Sequence, residues 1–159
     1  MSLIDSATQE TLSFNIKLVH SEDYELIANS DEFVFDWSKE ELYEVYKLFL
    51  LDEQKSILGL MSIIDIPEEY RVHLNLIEVA SYCRGSDKRI LNVAGCLLAH
   101  ACALAFQKGY FGFVSLQPKT KLIQLYQDRY GFSQYGRLFG IEQAAAKALI
   151  DKYLEDEEQ

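Results

Sequence analysis

The chain has 159 residues, 49% of them hydrophobic and 25% charged, enough for one sizeable core and unlike the composition of disordered or fibrous proteins. Fifteen Lys plus Arg stand against 25 Asp plus Glu, a net charge of −10. That excess argues against unassisted docking on nucleic acid and suits a cationic small acceptor better.

In chain order, Thr11 to His20 alternates Leu12, Phe14, Ile16 and Leu18 with polar residues, the period of a half-buried strand. Ser21 to Asn29 reads as a short helix with Ser21 as N-cap and Glu22 and Asp23 in its first turn. Phe33 to Trp37 is aromatic and fits neither period. Glu44 to Leu51 and Ile57 to Ile66 are apolar strands joined by the polar turn Asp52-Glu53-Gln54-Lys55, a hairpin that ends at Pro67. Val72 to Ala80 has bulky residues at nearly every position, as a central strand buried on both faces does. Ser81 to Lys88 is a polar loop containing Gly85. Val93 to Lys108 is apolar almost all round, a helix packed into the domain and closed by Gly109. Phe111 to Leu116 is then a strand, Lys119 to Tyr130 a helix stopped by Gly131, Phe132 to Phe139 a strand, and Glu142 to Leu154 an Ala-rich helix. The alternation predicts a single α/β (α+β) domain over 1–154, a mixed central sheet flanked by helices. Four acids in 155–159 form a solvated tail.

Compartment follows from the same inspection. Met1-Ser2-Leu3-Ile4-Asp5 has neither a basic segment nor an apolar run, so no signal peptide is expected. The longest apolar stretch, Val93 to Phe106, is interrupted by His100 and is shorter than the ~20 residues of a membrane span. Three cysteines without framework spacing suggest free thiols in a reducing cytoplasm. No membrane partner is expected, and the aromatic richness is compatible with a homodimer.

The stretch that can carry chemistry runs from Arg89 to Leu98, between the central strand and the buried helix. A loop entering a helix presents unpaired N–H groups at the positive end of the macrodipole, where a phosphate can settle. Ala94 and Gly95 are small, Asn92 tolerates left-handed backbone, and Lys88 and Arg89 add positive charge. Small residues there also serve a second purpose, letting the helix lie close to the sheet, and spacing alone leaves both readings open. Cys96, His100 and Cys102 share a helix without a fourth ligand for zinc, so no metal is expected. Cys83 has no His–acid pair near it in sequence. Neither a Gly-x-Gly-x-x-Gly fingerprint, a phosphate-binding P-loop nor a nucleophile elbow is present.

Arg89-x-x-Asn92-x-Ala94 followed by Leu97-Leu98, then Tyr126…Gly131-Phe132 after an intervening strand, resembles the GNAT-type acetyltransferase superfamily. That superfamily grips the pyrophosphate of acetyl-coenzyme A with a Gln/Arg-x-x-Gly-x-Gly/Ala loop. The resemblance covers roughly 56–139, with Asn92 in place of the first Gly, a longer loop over 79–89, and Tyr126 five rather than four residues before Gly131. It implies an acyl-CoA N-acyltransferase-like fold with acetyl-CoA as cosubstrate and an amine acceptor, small molecule or peptide. It also implies diphosphate contacts at Arg89, Asn92, Val93, Ala94 and Gly95. The pantetheine arm would pair with backbone near Ile77, Val79 and Ala80, and Tyr126 would protonate the departing thiolate. A phenol of pKa ~10 stays protonated at neutral pH and can donate. Tyr126 is equally readable as a core residue with a wet hydroxyl. Glu78 on the central strand is either a desolvated general base or a hydrogen-bonded structural carboxylate. The alternative for the whole chain is a non-catalytic binding or regulatory protein on the same fold. A third reading, transfer of a longer acyl chain, differs only in pocket volume.

Overall fold

The computed structural model describes residues 3–53, 56–118 and 123–154. The expected acidic tail, the start of the 119–130 helix and part of the 52–55 turn lie outside them. The first half of the chain forms β1 (Leu3–Asp5), β2 (Thr11–Leu12), β3 (Phe14–Leu18), α1 (Asp23–Ala28), β4 (Glu44–Leu50), β5 (Ile57–Ile66) and β6 (Arg71–Val79). The second half forms β7 (Ile90–Leu91), α2 (Val93–Gln107), β8 (Val114–Leu116), α3 (Ile123–Asp128), β9 (Ser133–Tyr135), β10 (Leu138–Ile141) and α4 (Gln143–Tyr153). Seven strands make the main sheet in the order β3-β4-β5-β6-β8-β10-β9, and β2-β1-β7 makes a small second sheet. Within the main sheet only β6 and β8 run parallel, so the expected mixed sheet is what forms.

Helices α2 and α4 cover one face of the sheet. Gly59 on β5 lets α2 approach closely, because a Cβ there would stand 2.8 Å from both the Val93 and Leu97 side chains. A smaller cluster on the opposite face joins Ile27, Trp37, Val45, Ile57 and Leu60. There α1 and the 3-10 turn Trp37–Glu40 pack on the sheet.

Four expectations need correction. The strand expected over Thr11–His20 is two strands in different sheets, Leu12 pairing with Leu3 and Phe14 with Leu50, so the chain breaks at Ser13. Helix α1 is not capped by Ser21. Asp23 instead reaches back to accept from the His20 N–H and from Lys47 Nζ, each at 2.8 Å. The expected strand from Phe111 begins only at Val114, because Phe111 and Gly112 take left-handed backbone. Finally, 132–139 is not one strand. Gly136 turns it into the β9–β10 hairpin, and β10 inserts between β8 and β9. Helix α4 follows this hairpin.

Candidate functional site

Strand β6 is paired along its length with β5, but on its other edge β8 reaches only Val72 and His73. From Leu74 to Val79 no described strand takes up that edge, so the two parallel strands diverge into a wedge. The ladder phase follows from one bond. The Ala80 N–H donates to the Leu58 carbonyl at 2.8 Å, so by antiparallel alternation Glu78 also bonds toward β5, while Ile77 and Val79 turn their N–H and C=O to the open edge. Of the three positions expected to meet a pantetheine arm, Ile77 and Val79 therefore face the wedge. Ala80 does not: it is fully buried, with its N–H spent on Leu58 and its carbonyl accepting from Cys83.

A β-bulge sets which side chains flank this edge. Ser62 pairs with Leu76 and Ile63 with Leu74, leaving Asn75 as the extra residue. The bulge reverses the alternation, so Ile77 and Val79 join Val72 and Leu74 in the α2-side core, while Leu76 packs with the Trp37 cluster.

The wedge leads to the amino end of α2. Asn92 sits there at φ +77°, in the left-handed region its side chain tolerates. The first α-helical bond runs from the Cys96 N–H to the Asn92 carbonyl. Among the described residues nothing accepts from the N–H groups of Val93, Ala94 or Gly95, which sum with the dipole of a 15-residue helix. Arg89 is exposed at a bend just before β7, its N–H donating to the Tyr82 carbonyl and its carbonyl accepting from the Ser6 N–H, each at 2.8 Å. The β1–β7 pair, which sequence reasoning missed, buttresses this entry turn. Val93 points at the sheet and Ala94 is half-buried. At Gly95 a Cβ would stand 2.5 Å from the Tyr153 ring. Its smallness thus accommodates α4, a close-packing role like the one left open on sequence grounds, with a helix in place of the sheet.

Tyr126 and Tyr130 on and beyond α3 are both buried. Tyr126 meets Tyr130 and Phe132 at ring-centroid distances of 5.9 and 5.5 Å, and Tyr130 meets Tyr153 at 6.2 Å. Gly131, in left-handed backbone, closes α3 with a bond from the Phe132 N–H to the Tyr126 carbonyl. Burial, with Tyr130 adding to it, pushes the Tyr126 phenol up to about 12. The group therefore keeps its proton across the physiological range. Two cations that the sequence analysis did not single out border the same cluster. Arg129 lies beside the Tyr130 phenol, and Lys152 Nζ stands 5.3 Å from the Tyr153 ring centroid. Both line an open cleft between α3 and α4 of about 440 Å3.

On the opposite face, Glu78 is buried and accepts from three N–H groups: Val34 at 2.7 Å, Phe35 at 3.3 Å and Trp37 Nε1 at 2.8 Å. Arg84 adds an ion pair at 3.8 Å. This carboxylate ties the 33–37 loop to β6, the structural arrangement weighed for it from sequence. Nearby Glu40, also buried, accepts from Ser62 Oγ at 2.5 Å and from Asn75 Nδ2 at 2.6 Å, pinning the bulge. Cys83 and Cys102 are buried thiols pushed up to about 12 by desolvation, which removes them as nucleophiles at neutral pH.

No protein-family model matches this chain, and no curated protein matches it in sequence. Solved structures do. The spermidine/spermine N-acetyltransferase SpeG from Vibrio cholerae superposes with a TM-score of 0.60 at 15% identity, over 86% of this chain and 95% of that one. Nourseothricin acetyltransferase gives 0.56 at 17% identity, over 78% and 85%. AtaTR bound with AcCoA gives 0.57 at 13% identity, over 86% and 98%. At such identities the likeness establishes the fold alone, a mixed sheet flanked by helices like that of these acetyltransferases.

Proposed function

We propose that this chain is an acetyl-CoA-dependent N-acetyltransferase. The observation that carries the proposal is the parting of β6 from β8 after two residue pairs, with the open edge running to three uncommitted amides at the start of α2. A thioester arm can lie along that edge on the backbone of Ile77 and Val79, while a diphosphate takes the N–H groups of Val93, Ala94 and Gly95. Arg89, at the bend before the turn, supplies the first positive charge, and Arg129 and Lys152 carry it toward the cleft between α3 and α4. Asn92 takes left-handed backbone at the position where the resemblance puts a glycine, a conformation both residues tolerate, which supports keeping it in the site despite the substitution. SpeG, nourseothricin acetyltransferase and the acetyl-CoA-bound AtaTR share the fold, which supports the same cosubstrate here.

In this reading Tyr126 is the acid. Its phenol, pushed up to about 12, holds a proton throughout the working pH range and can hydrogen-bond to the thiolate as the thioester breaks. A thiol, at ~8.5, is the stronger acid, so the phenol stabilises the leaving group by sharing its proton, and any phenolate formed regains a proton from water. Glu78 acts as a positioning residue: its acceptor capacity is engaged by three donors and a guanidinium. Amine deprotonation then falls to water at the wedge. The enclosure of Tyr126 by Tyr130 and Phe132 favours a second reading, a cofactor-binding protein that does not transfer.

Thermal unfolding with and without acetyl-CoA tests the binding step, since a ligand held only by the native state raises the Tm by mass action. Saturating cofactor raises the Tm, and Arg89→Glu removes that rise. No shift at millimolar acetyl-CoA overturns the reading. Tyr126→Phe then separates the two readings: slowed thiol release with an intact Tm shift supports transfer, and no thiol release from the wild type with any amine supports the binding protein.

A further inference from the structure

On the face of the sheet opposite α2, α1 and the 33–38 loop enclose a cleft of about 280 Å3. Its walls are aromatic: Tyr24, Phe33, Phe35 and Trp37 line it, with Asp36 and Ser38 at its polar side. Asp36 keeps its carboxylate in place by accepting from the Ser38 N–H and Oγ, at 3.2 and 2.5 Å. The floor is fixed to β6 at the open edge, because Glu78 holds the N–H groups of Val34 and Phe35 and the Trp37 indole. The cleft therefore abuts the strand along which the thioester would lie.

Two independent features describe its occupant. Ring faces carry negative quadrupole and attract cations, most strongly where the cation leaves water. The segment 22–44 that builds the cleft holds nine acids against one lysine, Lys39, so most of the chain's net −10 is concentrated there. Burial first, then the charges of Glu41, Glu40 and Asp23, raises the Tyr24 phenol above its usual range. A volume near the lower end of ligand pockets, about 300–1,000 Å3, admits a small molecule and not a folded partner.

We propose that this cleft takes the acceptor, and that the acceptor is a small aliphatic amine carrying a second positive charge away from the amine that reacts. This rests on the acetyl-transfer reading for its chemistry but not for its binding. The distal cation sits among the Tyr24, Phe35 and Trp37 rings near Asp36. The reacting amine, neutral, attacks the thioester carbonyl; the C–S bond breaks, the nitrogen releases one proton to solvent as the amide forms, and the departing thiolate takes one up, so the protons balance.

The test uses 1,4-diaminobutane and its singly charged counterpart, butylamine, on the wild type and on Asp36→Asn and Phe35→Leu. Asn keeps the capping acceptor, and Phe35 is exposed, so both variants are expected to fold. Direct titration calorimetry without cofactor is measured beside thiol release. The diamine binds and butylamine binds at least tenfold more weakly. Each substitution weakens diamine binding and raises its KM roughly fivefold, a larger loss than the same substitution causes for butylamine, the scale of one partly exposed charge or ring contact. Equal binding of the two amines, or no diamine binding at all, overturns the proposal. Diamine binding without thiol release leaves the cleft assignment standing and removes the transfer reading instead.

Discussion

His100 is a residue whose cost can be read from its surroundings. It lies midway along α2, its Nε2 without a hydrogen-bond partner among the described residues and its ring 5.0 Å from that of Tyr46 in an edge contact. Burial lowers its pKa to about 4, against ~6.5 in an unfolded chain. Between those values the unfolded state binds a proton that the folded state refuses. Stability from this group is therefore fully present above pH ~6.5 and is lost as pH falls toward 4. Urea unfolding at pH 7.0 and 5.5 measures the loss, and His100→Leu should flatten it, by about 1 kcal/mol over that interval. An unchanged pH slope in the variant would place the acid sensitivity in other groups.

At the scale of elements, the first turn of α2 contains a glycine whose smallness serves packing and whose amide belongs to the proposed cofactor site. The Tyr153 ring of α4 lies where the Gly95 side chain would be, and the Cys96 thiol donates to the Tyr153 carbonyl at 3.8 Å. Alanine is ordinarily the better helix former by about 1 kcal/mol, but here its Cβ must displace a ring that is itself packed on Tyr130. Gly95→Ala is thus expected to destabilise the protein by about 1–3 kcal/mol. In a Tyr153→Ala background the same change should become stabilising, a reversal of sign that denaturant titration of the four proteins detects. If glycine were there for the phosphate alone, Gly95→Ala would stabilise both backgrounds and weaken only the cofactor.

The elements that the sequence exposed were those whose periodicity is long enough to read. β5 ends where Pro67 ends it, α2 runs as a nearly apolar segment to Gln107, two residues before Gly109, and Asn92 takes the left-handed backbone its side chain permits. What stayed hidden depends on partners distant in sequence. Two- and three-residue strands such as β1 and β7 have no period to detect and exist because they pair with each other. The bulge at Asn75 rests on Glu40, 35 positions away, and the role of Glu78 rests on donors more than 40 positions away. The β9–β10 turn at Gly136 was obscured because both of its strands are too short to alternate visibly.

For the molecule as a whole, charge is segregated in a way that distinguishes its two proposed ligands. Nine acids gather between 22 and 44, while Lys88 and Arg89 stand by the entry to α2 and Arg129 and Lys152 border the cleft beside it. A dicationic acceptor is drawn by the local acids and by the net −10 together. A polyanionic cofactor is drawn by nearby cations but repelled by the rest of the surface. Salt screens distant charges before near ones, the Debye length falling from about 30 Å at 0.01 M to about 10 Å at 0.1 M. For the cofactor, then, the repulsion fades as the attraction weakens and the two changes partly cancel. For the acceptor both terms weaken in the same direction. Titration of 1,4-diaminobutane and of acetyl-CoA across that range should give a steep loss of affinity for the diamine and a shallow one for the cofactor, although the cofactor carries the larger charge. A steeper dependence for acetyl-CoA would mean that its site is governed by nearby cations alone, and that the acids of 22–44 do not reach it.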